Sequence, residues 1–364
     1  MKKCILLLLA LFLALAGCQT KQQNKIISIP VMGDAVMFSE DDSFLRGVEL
    51  ALEDLRLEYP DYTFQAQVFD DENNYEKGML LIDKFINDKQ VAGVIGSQSF
   101  SILSSSAQRL ERAGKILIMP HGSEDSVMAK GYANVFSNTF SPYSMGQAIQ
   151  AYLETAGLTK IAVYYDHTDY SHNLLRGMND ADTGAVKIID YASGSMEQAE
   201  FDRTFEKWEL LGAQCVVVIH DTDPAFNIAQ KIRAVRPDFP IVGDFAFDIP
   251  GMIAQMDGRA EGIVIPYVFP VEGSPKLDDF ITRYEARFNS EYTPWAAHGY
   301  DSVRMIADTA MEQNTSDPVL IAKTIHENGY KGVLGQISFN PDGSLASGAI
   351  PCQIVKDGRF QLYR

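Results

Sequence analysis

Strand-length apolar runs alternate with longer stretches of helical period along most of this chain, and that alternation restricts its fold more than any other feature. Residues 26–32 read as a strand, and residues 44–57 as a helix with Leu45, Val48, Leu52 and Leu55 on one face. A strand at 63–69, a helix at 75–87, a strand at 91–95, a helix at 101–113 and a strand at 115–119 continue the series. Successive βα units imply parallel strands with helices on both faces of the sheet. The pattern restarts near Ser141, with a helix to Ala156, strands at 160–165, 186–191, 215–219, 241–242 and 262–266, and helices between them. Residues 274–328 read as mainly helical, and 337–339, 349–355 and 360–363 as a hairpin-like end. The expectation is an α/β chain built as two doubly wound parallel-sheet lobes, because this length exceeds what one core usually organises.

Composition narrows the setting. The formal net charge is −17, and −19 once Lys2 and Lys3 are removed, which argues against nucleic acid as a partner because phosphate needs clustered Lys and Arg. Those two lysines precede an apolar run from Ile5 to Ala16, too short to span a bilayer but suited to the core of an export signal. The run ends in Leu15-Ala16-Gly17-Cys18, which resembles the lipobox of bacterial lipoproteins. That resemblance implies a signal peptide over 1–17, a lipid on Cys18, and a polar tether over 18–25 holding the body at a membrane. Cys215 and Cys352 lie in apolar strand-like runs and read as two buried thiols, with a disulfide left open. No CxxC spacing suggests zinc.

Ligands of open parallel sheets bind beyond the carboxyl ends of the strands. The loops there are 33–42, 96–101, 120–125, 166–173, 220–224 and 243–250. The second holds part of a run of six serines within residues 97–106. A nucleophile would need a base and an orienting group, and the chain has no Gly-x-Ser-x-Gly elbow. A serine-rich turn into a helix instead suits capping and anion binding, since first-turn N–H groups lack intrahelical partners.

Several short stretches together resemble one family. They are Gly33 followed by Arg46-Gly47-Val48-Glu49-Leu50-Ala51, Val94-Ile95-Gly96 with its serines, Leu117-Ile118-Met119-Pro120-His121-Gly122-Ser123, Val163-Tyr164-Tyr165-Asp166 leading to Tyr170, Ile241-Val242-Gly243, Ala260-Glu261-Gly262-Ile263 and Gly299-Tyr300-Asp301. In order and spacing they are similar to type I periplasmic binding proteins of the leucine/isoleucine/valine-binding class, which deliver amino acids to ABC importers. The resemblance implies an N-terminal lobe of residues 26–140 plus 269–333, a C-terminal lobe of 141–268 plus 334–364, and a three-stranded hinge near Phe140, Val268 and Leu334. It implies no enzymatic activity, no cofactor and no bound metal. The partners implied are a small carboxylate ligand, an ABC permease, and the membrane through Cys18.

Ligand contacts carry over position by position. Ser99 and Ser101 occupy the carboxylate-binding turn, with Phe100 where the family often has serine. Gly122 and Ser123 match the turn that receives an ammonium, with His121 departing from the usual small residue. Tyr170 matches the closing aromatic of the second lobe, and Phe38 lies near an aromatic of the first loop. The usual acid two residues after Gly243 is replaced by Phe245, so Asp221, Asp223 or Asp244 is expected to take the ammonium, since a buried cation needs an anionic partner. Two alternatives remain: a receptor signalling to a membrane partner, and a metal-dependent enzyme using Asp166, His167, Asp169 and His172.

Overall fold

The computed structural model describes residues 25–363 apart from 41, 123–124, 221, 249–250, 268, 270–274 and 347–349. Cys18, Ser123, Asp221 and the expected crossing at Val268 lie outside the described residues. In the first half, strands β1 (Lys25–Ser28), β2 (Val31–Gly33), β3 (Tyr62–Gln65), β4 (Val68–Asp70), β5 (Gly93–Ile95), β6 (Ile116–Met119) and β7 (Val135–Ser137) alternate with helices. These helices are α1 (Ala35–Glu40), α2 (Ser43–Glu58), α3 (Tyr75–Asn87), α4 (Phe100–Arg112) and α5 (Asp125–Met128). The second half continues with α6 (Pro142–Thr155), β8 (Lys160–Tyr165), α7 (Asp169–Ala181), β9 (Lys187–Ser193), α8 (Gln198–Leu211), β10 (Cys215–Ile219), α9 (Thr222–Val235), β11 (Ile241–Gly243), α10 (Met252–Gln255) and β12 (Val264–Pro266).

The first sheet is parallel in the order β4-β2-β5-β6-β7. Its first strand lies between the second and third, so the strand order reverses between β2 and β5. The second sheet repeats this as β9-β8-β10-β11-β12, also parallel, with its reversal between β8 and β10. Such reversals open a crevice at the carboxyl ends of the two central strands. Strand β10 is buried at every residue, as expected of a strand covered on both faces.

Three helices follow, α11 (Pro275–Phe288), α12 (Pro294–Glu312) and α13 (Pro318–Asn328), and then the short pair β13 (Tyr330–Lys331) and β14 (Gln336–Ile337). Strands β15 (Cys352–Lys356) and β16 (Arg359–Leu362) form an antiparallel hairpin that extends the second sheet beyond β12. Helix α12 packs on α2, so the late helical block returns to the first sheet. Cys215 and Cys352, read from sequence as two buried thiols, are free and buried.

The structure departs from the sequence reading at several points, among them a helix at Ala35–Glu40 inside the loop expected at 33–42. The strand expected at 26–32 is split at Ile29-Pro30, because Pro30 has no N–H to donate, although its carbonyl still accepts from Ile95 N at 2.9 Å. The strand expected at 63–69 splits in step, and Ile29 N and Val31 N bridge the gap to the Gln65 and Gln67 carbonyls. Strand β7 was not anticipated, since its three residues are too few to show a period.

Candidate functional site

At the first reversal, Gly33 ends β2 and the residues after β5 turn into α4. Gly33 sits in close quarters: an added Cβ would lie 2.3 Å from Gln98 Oε1 and 2.7 Å from Phe38 Cε2, so those side chains would have to shift. The Gln98 carbonyl accepts from Asp34 N at 3.1 Å and so ties the two sides of the crevice together. Ser97 is buried and its hydroxyl accepts from Ser99 N at 3.0 Å, which shapes the turn. Ser99 is the N-cap residue of α4 without a side-chain cap bond, and its hydroxyl lies 3.4 Å from that of Ser101. Ser99 is half-buried, while Phe100 and Ser101 are exposed on the first turn. The turn therefore presents two hydroxyls beside a helix N-terminus, an arrangement that suits a carboxylate.

Next to it, the segment after β6 carries His121 and Gly122. Among the described residues other than its chain neighbours, no atom lies within 4 Å of a Cβ built on Gly122, so this backbone borders open space there. His121 is stacked on Trp295 at 5.6 Å, tilted against Phe44 at 4.8 Å, and edge-on to Phe38 at 6.2 Å. Burial, reinforced by neighbouring His298, pushes the His121 imidazole down to about 3, so it is neutral at physiological pH. Its Nε2 is buried without a hydrogen-bond partner among the described residues.

The second reversal gathers Asp166, Tyr170, His220 and Asp244 at the strand ends. Asp166 accepts from Thr168 N at 3.0 Å and from the Thr168 hydroxyl at 2.7 Å. Burial alone would raise its pKa, but these bonds hold it below the ordinary carboxylate value. The Thr168 hydroxyl also caps α7, accepting from Ser171 N at 3.2 Å, and that cap aims the first turn carrying Tyr170. The Tyr170 hydroxyl is buried beside the Asp244 carboxyl. Asp244 is 1% exposed and accepts from Ala246 N at 3.0 Å. Burial pushes its carboxyl up to about 8; the Asp166 charge adds to this, while the Ala246 N–H and the Tyr170 hydroxyl oppose it. His220 stacks on Tyr164 at 5.2 Å.

Of the two described acids offered as ammonium partner, Asp244 is the one beside Tyr170. Asp223 is exposed on the first turn of α9 and lines a separate crevice with Ser195 and Met196. Asp166, His167, Asp169 and His172 do not converge: among the described residues no group of three metal-ligating side chains could hold an ion. Gln98, Ser97 and Trp295 were missed from sequence. Gln98 and Ser97 were open to view in the loop after β5, whereas Trp295 reaches the site from a helix 174 positions after His121 and left no local signal.

Two parallel sheets of like strand order, each with its reversal lined by polar side chains, define a class of α/β ligand-binding proteins. The periplasmic binding protein family matches residues 33–359, and the chain belongs to that family. The fold is shared with the ABC transporter substrate-binding protein from Desulfitobacterium hafniense in complex with Leu, at 23% identity and a TM-score of 0.82, covering 93% of this chain and 99% of that one. It is shared too with the branched-chain amino acid transporter substrate binding protein LivJ from Streptococcus pneumoniae in complex with isoleucine, at 21% identity and a TM-score of 0.78, covering 93% and 98%. A solute binding protein from R. palustris in complex with benzoate matches at 16% identity and a TM-score of 0.77, covering 93% and 95%.

Proposed function

We propose that the chain is the extracytoplasmic substrate-binding component of an ABC importer, capturing an amino acid or related small carboxylate between two lobes that close on it. The observation that carries this reading is the complementary chemistry of the two strand-order reversals. One offers hydroxyls at the N-terminus of α4, suited to a carboxylate; the other offers Asp244 and Tyr170, suited to an ammonium. The leucine- and isoleucine-bound relatives support the same ligand class.

In this reading the lobes are residues 26–140 plus 269–333 and residues 141–268 plus 334–364, turning about crossings near Phe140, Val268 and Leu334. The ligand touches both lobes, so it has more contacts in the closed form and shifts the population toward it. Cys18 carries a lipid that holds the body at the membrane near its permease. Cys18→Ala should release a folded protein from the membrane fraction or leave an uncleaved precursor; normal attachment after signal removal would sink the anchor.

A thermal-shift panel tests the ligand class, because a compound that binds the native state alone raises its apparent stability. L-leucine, L-isoleucine, their deaminated analogues and benzoate form the panel, benzoate being included for the aromatic surroundings of His121. The expected result is a shift by an amino acid, weakened roughly tenfold to hundredfold in affinity by Tyr170→Phe, which removes one hydrogen bond to a charged group. A panel in which no carboxylate raises the melting temperature would overturn the reading.

A further inference from the structure

A crevice of about 250 Å³ lies beside Phe140, where the chain passes from β7 of the first sheet into α6, and none of the residues gathered at the two reversals lines it. It has room for roughly eight waters, which suits a small molecule rather than a drug-sized one. On the first-sheet side stand Asp125 and Met128 of α5 and the turn at 340–345, which the Gly343 carbonyl ties to Ser137 N at the end of β7. Beyond Phe140 stands the first turn of α6, with Tyr143 and Ser144.

The hydrogen bonds around this crevice engage its donors and leave acceptors over. Asn340 Nδ2 donates to the Ser344 hydroxyl at 3.0 Å and to the Leu345 carbonyl at 3.4 Å, so both of its N–H groups are taken. Asp342 Oδ1 accepts from Ser344 N at 2.9 Å and from the Ser344 hydroxyl at 2.5 Å. The Ser141 and Ser144 hydroxyls lie 3.2 Å apart and bond to each other. Among the described residues, Asn340 Oδ1 and Asp342 Oδ2 accept nothing, and Asp125 uses Oδ2 alone, for Arg176 at 3.0 Å. Arg176 also lies 5.0 Å over the Tyr143 ring, so a guanidinium already rests between a carboxylate and an aromatic face beside the crevice. No described lysine, arginine or histidine lines the crevice, and Asp342 has no ion-pair partner among the described residues.

Carboxylate walls exclude an anion. A bare metal ion does not suit them either, since among the described residues no three ligating side chains converge. The chemistry that complements such walls is N–H groups on a positive charge. We infer that the crevice is a second binding site, for a small organic cation with several N–H groups, an amine or a guanidine, held by Asp342, Asn340 and Asp125. The site is separate from the reversals, so this inference and the proposed function stand or fall apart. Its occupant would touch the chain on both sides of Phe140, one of the segments about which the proposed lobes turn.

Putrescine is the probe, with 1,4-butanediol and succinate as neutral and anionic counterparts of similar length. In calorimetry and 1H–15N NMR on the full mature chain, putrescine should saturate and move amide signals around Ser141 and Asp342, with butanediol at least tenfold weaker and succinate inert. Asp342→Asn should weaken putrescine on the order of tenfold or more through one lost charge-assisted hydrogen bond, while the amide oxygen still accepts from Ser344 N and keeps the turn. Asp125→Asn should do the same, and the two changes together should abolish binding. Equal affinity for butanediol refutes the cationic reading, and putrescine that fails to bind refutes the site outright. Binding unaltered by both aspartate changes marks attraction to the acidic chain as a whole, and binding lost in Asp244→Asn instead places putrescine at the second reversal; either result refutes the site. Should a variant fail to fold, the wild-type spectra decide, because shifts confined to residues away from Phe140 refute it as well.

Discussion

At the scale of single residues, the polar groups buried on α12 carry the clearest energetic signature. His298 is fully buried and its Nε2 lies 2.9 Å from the Pro120 carbonyl, so Nε2 carries the proton and donates. Burial pushes its imidazole down to about 4, with the Pro120 carbonyl pulling the other way. Because this folded value is below the unfolded one, the unfolded chain binds more protons between the two. Stability from His298 is thus fully present above about pH 6.5 and is lost as pH falls toward 4. The loss should reach about 1.4 kcal/mol per pH unit within that window. Urea denaturation of wild type and His298→Gln checks this: the gap between their unfolding free energies should narrow from pH 7 to pH 4.5, and a constant gap would show that the imidazole takes up its proton alike in the folded and unfolded states.

Among elements, two helix pairs stand out because glycine lets their backbones touch. A Cβ on Gly47 of α2 would lie 1.8 Å from the Ala296 carbonyl oxygen of α12, and one on Gly299 would lie 2.1 Å from that of Phe44. Helices α6 and α7 repeat the device: Gly146 faces the Leu174 oxygen at 1.9 Å and Gly177 faces the Tyr143 oxygen at 2.0 Å. The opposing atoms are backbone, which cannot rotate away, so Gly47→Ala and Gly177→Ala should each destabilise by about 1–3 kcal/mol or more through overpacking. A lowered urea midpoint at unchanged slope would register it, and a midpoint within error of wild type would mean that the helices slide apart freely. The elements themselves were legible in sequence where period and length agreed: α3 at 75–87, β8 at 160–165 and β10 at 215–219 match their expected bounds. Legibility failed where tertiary contacts decide. Pro30 split one strand, β7 was too short to show alternation, and the Gly47 and Gly299 contacts join segments some 250 positions apart. Within the site, the carry-over pointed to Tyr170 and Asp244 as candidates, but only packing shows that they lie side by side and that Asp223 lines another crevice.

For the whole molecule, the proposed closure should be measurable. Asp125 at the start of α5 and Arg176 on α7 form an ion pair at 3.0 Å that bridges the two sheets' helices. Both are partly exposed, so the pair contributes at most about 1 kcal/mol. Arg176→Ala should therefore weaken L-leucine binding no more than about fivefold, while small-angle scattering of wild type should contract when L-leucine saturates it. An unchanged scattering profile at saturation would count against lobes that close. The return of α12 to the first sheet has another consequence, felt before any ligand is met. The face of α2 that receives α12 is made some 250 residues earlier, as the Ser43–Thr293 hydroxyl pair illustrates. A nascent chain emerging N-terminus first carries that apolar face without α12 until synthesis is four-fifths complete, although every strand of the first sheet is made by Ser137. Strands β8 to β12 are thus all made before the first sheet's helices receive α12, and that interval is when the chain is most exposed to aggregation and most in need of a chaperone's cover.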